Sequence, residues 1–390
     1  MLTPFPMGGA AASGGIARAR ANRRMFQRLG YSVDTVGVYA SSAVPEAERD
    51  VEDIVLAGKE LNRLFNSDMA FGGLHLARAA AADRHAREAL DAAIEIWAPE
   101  IILMEHPWLW PILREVLAGM SARPKVIYSS HNIESDIRPL LYPYCPVLPG
   151  AEQRCEEVRQ MEREAAQAAD LVLAISGKDR AAMEAWGVTA VRLPPTSALA
   201  TPQGGAETAS PPPYAAMVSS AYWPNVDGFF AMFPEGLGFL RQGEYIAAAG
   251  SVGPAIWTDP RFGDFRAVNQ SRFRALGVAP DPMLGEFLRA AACVILPIQV
   301  GGGANMKTAD ALWSGRPVVC TAKALVGYPH VRPYIGAGVY VADDPMAFRM
   351  LVRAGVRGEL APPAPALAAF GEAEAAAILE GALRRFYEAP

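Results

Sequence analysis

The chain has 390 residues, about half of them apolar and a fifth charged, more than one ordinary core accommodates, so two domains are expected. A formal net charge of -5 gives no case for a nucleic-acid partner. Cys145, Cys155, Cys293 and Cys320 have no CxxC spacing, which argues against a zinc or disulfide framework and for reduced thiols in the cytoplasm.

No basic-then-apolar leader opens the sequence, and no uninterrupted apolar run approaches ~18 residues, so neither secretion nor a membrane span is expected. The segment before the first helix carries the pair Gly14 and Gly15, read either as a flexible connection or as a loop that closes over a ligand. The helix that follows, ARARANRRMFQRL, is basic through Arg18, Arg20, Arg23, Arg24 and Arg28. A solvated face is the favoured reading of that charge, with peripheral contact to anionic lipid as the alternative.

Short β-rich runs then alternate with longer amphipathic stretches, the pattern of parallel sheets with crossover helices. In the first half the strand candidates are YSVDTVGVY, PEIILMEH, PKVIYSSH and ADLVLAIS, separated by helical stretches such as LHLARAAAADRHAREALDAAIEIW and QMEREAAQAA. Ligands of such sheets bind beyond the carboxyl ends of the strands. The second of these strands ends in Glu105 and His106, and the third in His131, Asn132 and Glu134, so these five are the candidate ligand residues of the first half.

Residues 196–213, TSALATPQGGAETASPPP, abandon the alternation for Pro, Gly, Ser, Thr and Ala and mark the expected linker. It separates an N-terminal domain, residues 1–195, from a C-terminal domain, residues 214–372. There the strands YAAMVSS, EYIAAAGS, CVILPI and PVVCTA alternate with helices around NVDGFFAMF, DPMLGEFLRAAA and TADALWSG. A last helix, residues 373–390, has no strand after it. The expected class is α/β, two doubly wound Rossmann-like domains.

Two strand ends in this half carry anion chemistry. After YAAMV come Ser219, Ser220, Tyr222 and Asn225, small hydroxyls and amides before a helix. They suit either a capped helix start or a second phosphate contact. After CVILPI come Gly301, Gly302, Gly303, Ala304 and Asn305, with Lys307 about one turn into the next helix. Bare backbone amides, a helix N-terminus and a lysine make an anion site; a glycine-rich turn with a solvated lysine is the plain alternative. The segment misses the P-loop pattern because Met306 stands where its second glycine belongs, and the curled backbone needed around a β-phosphate disfavours a side chain there. Asp310, three residues past Lys307, lies on nearly the same helix face, fit for ribose hydroxyls or for an ion pair with the lysine.

The order of these motifs resembles glycosyltransferase family 4, whose members have the GT-B fold. The resemblance rests on LTPFPMGGAAASGG, YSSHNIES, the run EAAQAADLVLAISGKDR (residues 164–180), WPNVDG and GGGANMKTADALWSGRPVV, and extends over residues 2–345. It implies two Rossmann-like domains facing across a cleft, the C-terminal one holding a nucleotide-diphosphate sugar and the N-terminal one the acceptor, with the last helix crossing back to the first domain. By the same resemblance Lys307 neutralises the leaving diphosphate, amides of Gly301–Ala304 contact sugar and phosphate, and Asp310 meets the ribose. His131 faces the acceptor or the transferred sugar, while Gly277 and Val278, in the loop RALGVAP, offer main chain to the base. Two departures stand out: Gly302 occupies the place of the first acid of the family's E-x7-E motif, and no Lys or Arg follows the strand that ends in Ser219.

The function expected is a retaining glycosyltransferase that needs no metal or other cofactor. It moves a sugar from a nucleotide-diphosphate sugar to a glycan or lipid-linked acceptor in bacterial surface polysaccharide synthesis, in the cytoplasm or at the inner face of the plasma membrane. Stabilising charge on the departing diphosphate lowers the barrier. The alternatives are a nucleotide-sugar epimerase or hydrolase of the same fold, and a non-catalytic binding relative.

Overall fold

The computed structural model describes residues 1–8, 13–42, 46, 49–197, 214–363 and 371–388. Two compact units emerge. One comprises Met1–Gly9, Arg18–Pro194 and Ala376–Pro390; the other comprises Ala10–Ala17 and Pro195–Ala375.

The first unit is built on a seven-stranded sheet. Its strands are β1 (Leu2–Thr3), β2 (Val36–Ala40), β3 (Ile54–Leu56), β4 (Ile101–Glu105), β5 (Lys125–Ser129), β6 (Leu171–Ala174) and β7 (Ala190–Arg192), in the order β3-β2-β1-β4-β5-β6-β7. Neighbouring strands pair in parallel throughout. The core lies on the sheet faces: Val38, Met104, Val126, Tyr128 and Val172 pack against Ile112, Leu113 and Ala165 of the covering helices. The long stretch from Leu74 to Trp97 is two helices, Gly72–Ala82 and Arg84–Trp97. Asp83 divides them, its carboxylate accepting from Ala86 N at 3.1 Å and capping the second.

The second unit has six strands: β8 (Tyr214–Val218), β9 (Tyr245–Ala249), β10 (Phe273–Gly277), β11 (Cys293–Leu296), β12 (Val318–Cys320) and β13 (Val339–Val341). Their order is β10-β9-β8-β11-β12-β13, again parallel. Both sheets therefore reverse direction of build once, between β1 and β4 and between β8 and β11. Those are the switch points where doubly wound sheets open a crevice for a ligand. The segment read as a loop, RALGVAP, is a correction: Phe273–Gly277 is an edge strand paired with β9. Arg274, Ala275 and Leu276 stay exposed on it, so no apolar run betrays it. Of the expected linker, residues 198–213 lie outside the described residues, as do residues 9–12 of the N-terminal glycine-rich loop.

The final helix, Glu372–Glu388, belongs with the first unit from residue 376 onward. Leu379, Ala382, Leu383 and Phe386 are buried. Lys125 donates to the Phe386 carbonyl at 3.3 Å and sits 4.3 Å from the Phe386 ring. No helix among the described residues is long and apolar enough to cross a membrane.

The basic first helix, Gly14–Arg28, is neither a simple solvated face nor a free cationic patch. Arg18 is fully buried, its guanidinium donating to the carbonyls of Leu193 at 2.7 Å and Pro194 at 3.0 Å. Arg20 donates to the carbonyls of Met7 at 2.9 Å and Gly8 at 2.7 Å. These cations hold backbone together, because carbonyls leaving a sheet edge need donors once water is gone.

Candidate functional site

In the second unit the switch point gathers most of the donor-side candidates. The chain leaves β8 at Ser219, turns through Ser220 to Tyr222, and enters the helix Trp223–Met232, whose Pro224 at the first turn costs no hydrogen bond. Two glycines make the turn possible. A Cβ on Gly250, which has φ +91°, would stand 2.1 Å from the Ser219 carbonyl oxygen, and one on Gly228 would stand 2.1 Å from that of Pro297. The strand ends and the helix can close to this distance only without side chains.

Across the switch point, β11 leads through Gly301–Ala304 to the helix Met306–Trp313. The glycine ribbon is braced from behind. Gly303 has φ +54°, a Cβ on Gly327 would meet Ala304 Cβ at 2.4 Å, and Tyr328 Oη donates to the Asn305 carbonyl at 2.5 Å. Asn305 precedes the helix without a side-chain capping bond, which leaves its first amides to a ligand.

Lys307 extends from that helix to the head of the β8 turn, donating to Ser219 Oγ at 2.9 Å and to Asn225 Oδ1. The residue is half-buried, and enclosure of its ammonium lowers it from the ordinary lysine value to about 8. Two of its three N–H bonds are thus used among the described residues, and its charge meets only neutral oxygens.

Asp310 is held by Ser197, whose hydroxyl donates to its Oδ1 at 2.7 Å, so lysine and carboxylate take separate partners. Gly277, at φ +71°, accepts from Gly250 N at 2.6 Å, one main-chain step from Ser219; Val278 beyond it is exposed. Tyr222 is partly exposed, and its carbonyl caps Asn225 N at 2.8 Å. Gly14 and Gly15 open the first helix, and a Cβ on Gly14 would make ordinary contact, 3.8 Å, with Met306 Cγ.

In the first unit the candidates also converge, after β4 and β5. His131 Nε2 lies 2.6 Å from Glu105 Oε2, while Asn22 donates to Glu105 Oε1 at 2.8 Å and to Ser129 Oγ at 2.9 Å. Burial, then the neighbouring His106, hold His131 down to about 4; it is a neutral ring that donates to the carboxylate. Burial pushes the Glu105 carboxyl up, but hydrogen bonds from His131 and Asn22 and the charge of Arg18 leave it below the usual range.

The rings of His106 and His131 lie 3.9 Å apart, with Phe5 edge-on to His106 at 5.3 Å. His106 has φ +71°, ψ +151°, a region that glycine alone enters freely, and its Nε2 is buried with no hydrogen-bond partner among the described residues. Such strain persists where the surroundings over-determine it, which is common at ligand sites. Its Nδ1 is 3.3 Å from Glu134. Burial opposes ionisation of Glu134, yet Arg138 and His106 hold it down to about 2. Glu162 caps the helix Glu134–Leu141 by accepting from the amides of Glu134 and Ser135. Asn132 stays half-buried, with its carbonyl accepting from Ser130 Oγ at 2.7 Å.

Asn22, Glu162, Ser197 and Tyr328 were not singled out in the sequence, and Arg18 was named there only as part of a basic helix face. Asn22 and Glu162 carried one available signal, a polar side chain on the inward face of an amphipathic helix. Among the described residues no group of three or more His, Cys, Asp or Glu is placed to hold a metal ion.

No family model matches the chain, and no curated protein does. Solved structures do. Sucrose-phosphate synthase from Thermosynechococcus elongatus superposes with a TM-score of 0.65 at 13% identity, covering 100% of this chain and 99% of that one. Trehalose-6-phosphate synthase from Burkholderia multivorans gives 0.58 at 13% identity over 100% and 98%. The Anabaena protein HepE, in complex with UDP and glucose, gives 0.58 at 12% identity over 98% of each chain. At these identities the likeness establishes the fold, the two-domain GT-B architecture.

Proposed function

We propose that the chain is a glycosyltransferase that takes a sugar from a nucleotide-diphosphate donor, bound by the second unit, and passes it to a glycan or lipid-linked acceptor bound by the first. The reading includes retention at the anomeric carbon, independence from metal and a role in bacterial surface polysaccharide synthesis. One observation carries it: a partly desolvated ammonium, Lys307, fixed at the switch point beside a bare glycine ribbon and an uncapped helix start. Support comes from structural neighbours that are themselves sugar-transferring enzymes, one of them holding UDP and glucose.

When the sugar–phosphate bond breaks, negative charge grows on the leaving diphosphate and positive charge on the anomeric carbon. Lys307 and the amides of Gly301–Ala304 stabilise the first more in the transition state than in the ground state. On this reading the leaving phosphate accepts the acceptor's proton, and His131, neutral and anchored to Glu105, orients a hydroxyl. Asp310 approaches the ribose.

The test is thermal shift with UDP, GDP, ADP and dTDP and their sugars. One diphosphate series at about 100 times its dissociation constant is expected to stabilise by about 2.7 kcal/mol. Lys307→Met removes a charge that is costly to enclose, so its unliganded melting temperature stays at or above that of the wild type at pH 7, while the nucleotide shift and sugar transfer are lost. Transfer at the wild-type rate by this variant would sink the mechanism. Turnover of donor without acceptor would favour an epimerase or hydrolase, and silence toward every nucleotide a non-catalytic protein.

A further inference from the structure

The amine of Lys307 is held by two neutral groups from another part of the fold, and the geometry of that grip is over-determined. Asn225 donates from Nδ2 to the Ser220 carbonyl at 3.0 Å, which turns its Oδ1 toward the ammonium. Only this orientation satisfies both, since the reverse would aim an NH2 at an ammonium and an oxygen at a carbonyl. The main chain of Asn225 is fixed as well, through its amide to the Tyr222 carbonyl. Ser219, the other holder, is buried and pressed against Gly250.

We infer that Asn225 and Ser219 are positioning residues for Lys307. They draw a lysine borne by the helix Met306–Trp313 onto the β8 turn, and being uncharged they leave its full charge for an anion. The inference rests on the reading of this site as a diphosphate site, and adds what holds the cation there. A free lysine stem samples many rotamers, and binding must then bear the loss of that freedom; a pre-docked amine avoids it.

The acids on the elements packed around the amine are engaged elsewhere. Asp227, on the helix of Asn225, pairs with Arg261 at 2.7 Å, and Asp310, on the lysine's own helix, takes the Ser197 hydroxyl. The strand ends beside it, in β8 and β11, contribute Met217, Val218, Ile295 and Leu296, all apolar. Burial lowers the amine's titration to about 8, so it is mostly charged below that pH and mostly neutral above it, and a bound diphosphate draws a proton onto it.

The experiment is calorimetric titration of the full chain from pH 6 to 10 with UDP, GDP, ADP and dTDP, the tightest binder being carried forward. Wild-type affinity is expected to fall as pH rises through about 8. Asn225→Ala should weaken binding about tenfold at pH 7, in line with loss of one hydrogen bond to a charged group. Its alkaline limb should move upward, because a released amine regains water. Asn225→Asp is nearly isosteric and tests the role even if the alanine variant folds poorly. A carboxylate there should raise the lysine, shift the alkaline limb upward by a unit or more, and weaken the diphosphate at least as much at pH 7. Ser219→Thr should retain affinity within about threefold where Ser219→Ala does not. If a diphosphate binds in a Lys307-dependent manner while both Asn225 variants keep wild-type affinity and pH profile, the positioning role is overturned and the site reading survives. If no diphosphate binds the wild type, the site reading itself fails and takes the inference with it.

Discussion

His131 sits between the Glu105 carboxylate, to which it donates, and a second imidazole, His106, whose proximity disfavours a charge on His131. Held down to about 4 when folded against ~6.5 when unfolded, it makes the folded state take up a proton later than the unfolded one as pH falls. Its contribution to stability is therefore fully present above pH 6.5 and lost as pH falls toward 4. The stability difference between wild type and His131→Phe, from urea unfolding, should thus be flat above pH 6.5 and shrink below it; a difference that grows on acidification would contradict the assignment. The residues of this cluster that were legible in sequence, Glu105, His106, His131 and Glu134, share one trait, a place at the carboxyl end of a buried strand or in the turn and helix start that follow it. Lys307, Ser219 and Asn225 were legible for the same reason. What sequence did not disclose was pairing. Lys307 and Asp310 are three residues apart on one helix, yet each is bonded to a residue distant in the chain, and spacing on a helix carries no information about the neighbours it faces. Arg18 is the sharpest case, a buried cation within a run of arginines that looks uniformly solvated.

Among the elements, the outcome divides by position in the sheet. The interior strands β2, β4, β5, β6, β8, β9, β11 and β12 all stood out as β-rich apolar runs, because a parallel strand covered on both faces must be apolar throughout. The strands β3, β7, β10 and β13, all missed, are the four sheet edges, where half-exposed short runs lose the pattern. The two-residue β1 is central but too short to show one. Close approach between elements is equally hidden until the backbone is seen. Gly228 lies mid-helix, where alanine would ordinarily help by about 1 kcal/mol. Its missing side chain instead admits the Pro297 carbonyl. Gly228→Ala is expected to destabilise by about 3 kcal/mol or more, read from denaturant unfolding, and to weaken nucleotide binding by displacing Asn225. A neutral or stabilising result would mean that the helix does not pack this tightly.

On the scale of the whole molecule, each unit has its own core and sheet, while the helix Glu372–Glu388 counts with the unit at the other end of the sequence. A chain ending at residue 371 should lose the burial of Leu379, Leu383 and Phe386. At about 1.5–3 kcal/mol each, that is about 5 kcal/mol or more from the first unit. Differential scanning calorimetry should then show one transition lowered and the other unmoved; equal loss in both would refute the assignment of that helix. The α/β class and the alternation of elements were readable from periodicity alone. Membership of the terminal helix was not, since an amphipathic helix advertises an apolar face without naming what covers it.

That arrangement also sets an order of assembly during translation. A ribosome emits every residue of the second unit before the segment that finishes the first, so the part begun earliest is sealed last. Throughout that interval the first unit lacks Leu379 and Leu383, and the apolar surface they are to bury against is what a ribosome-bound chaperone would meet.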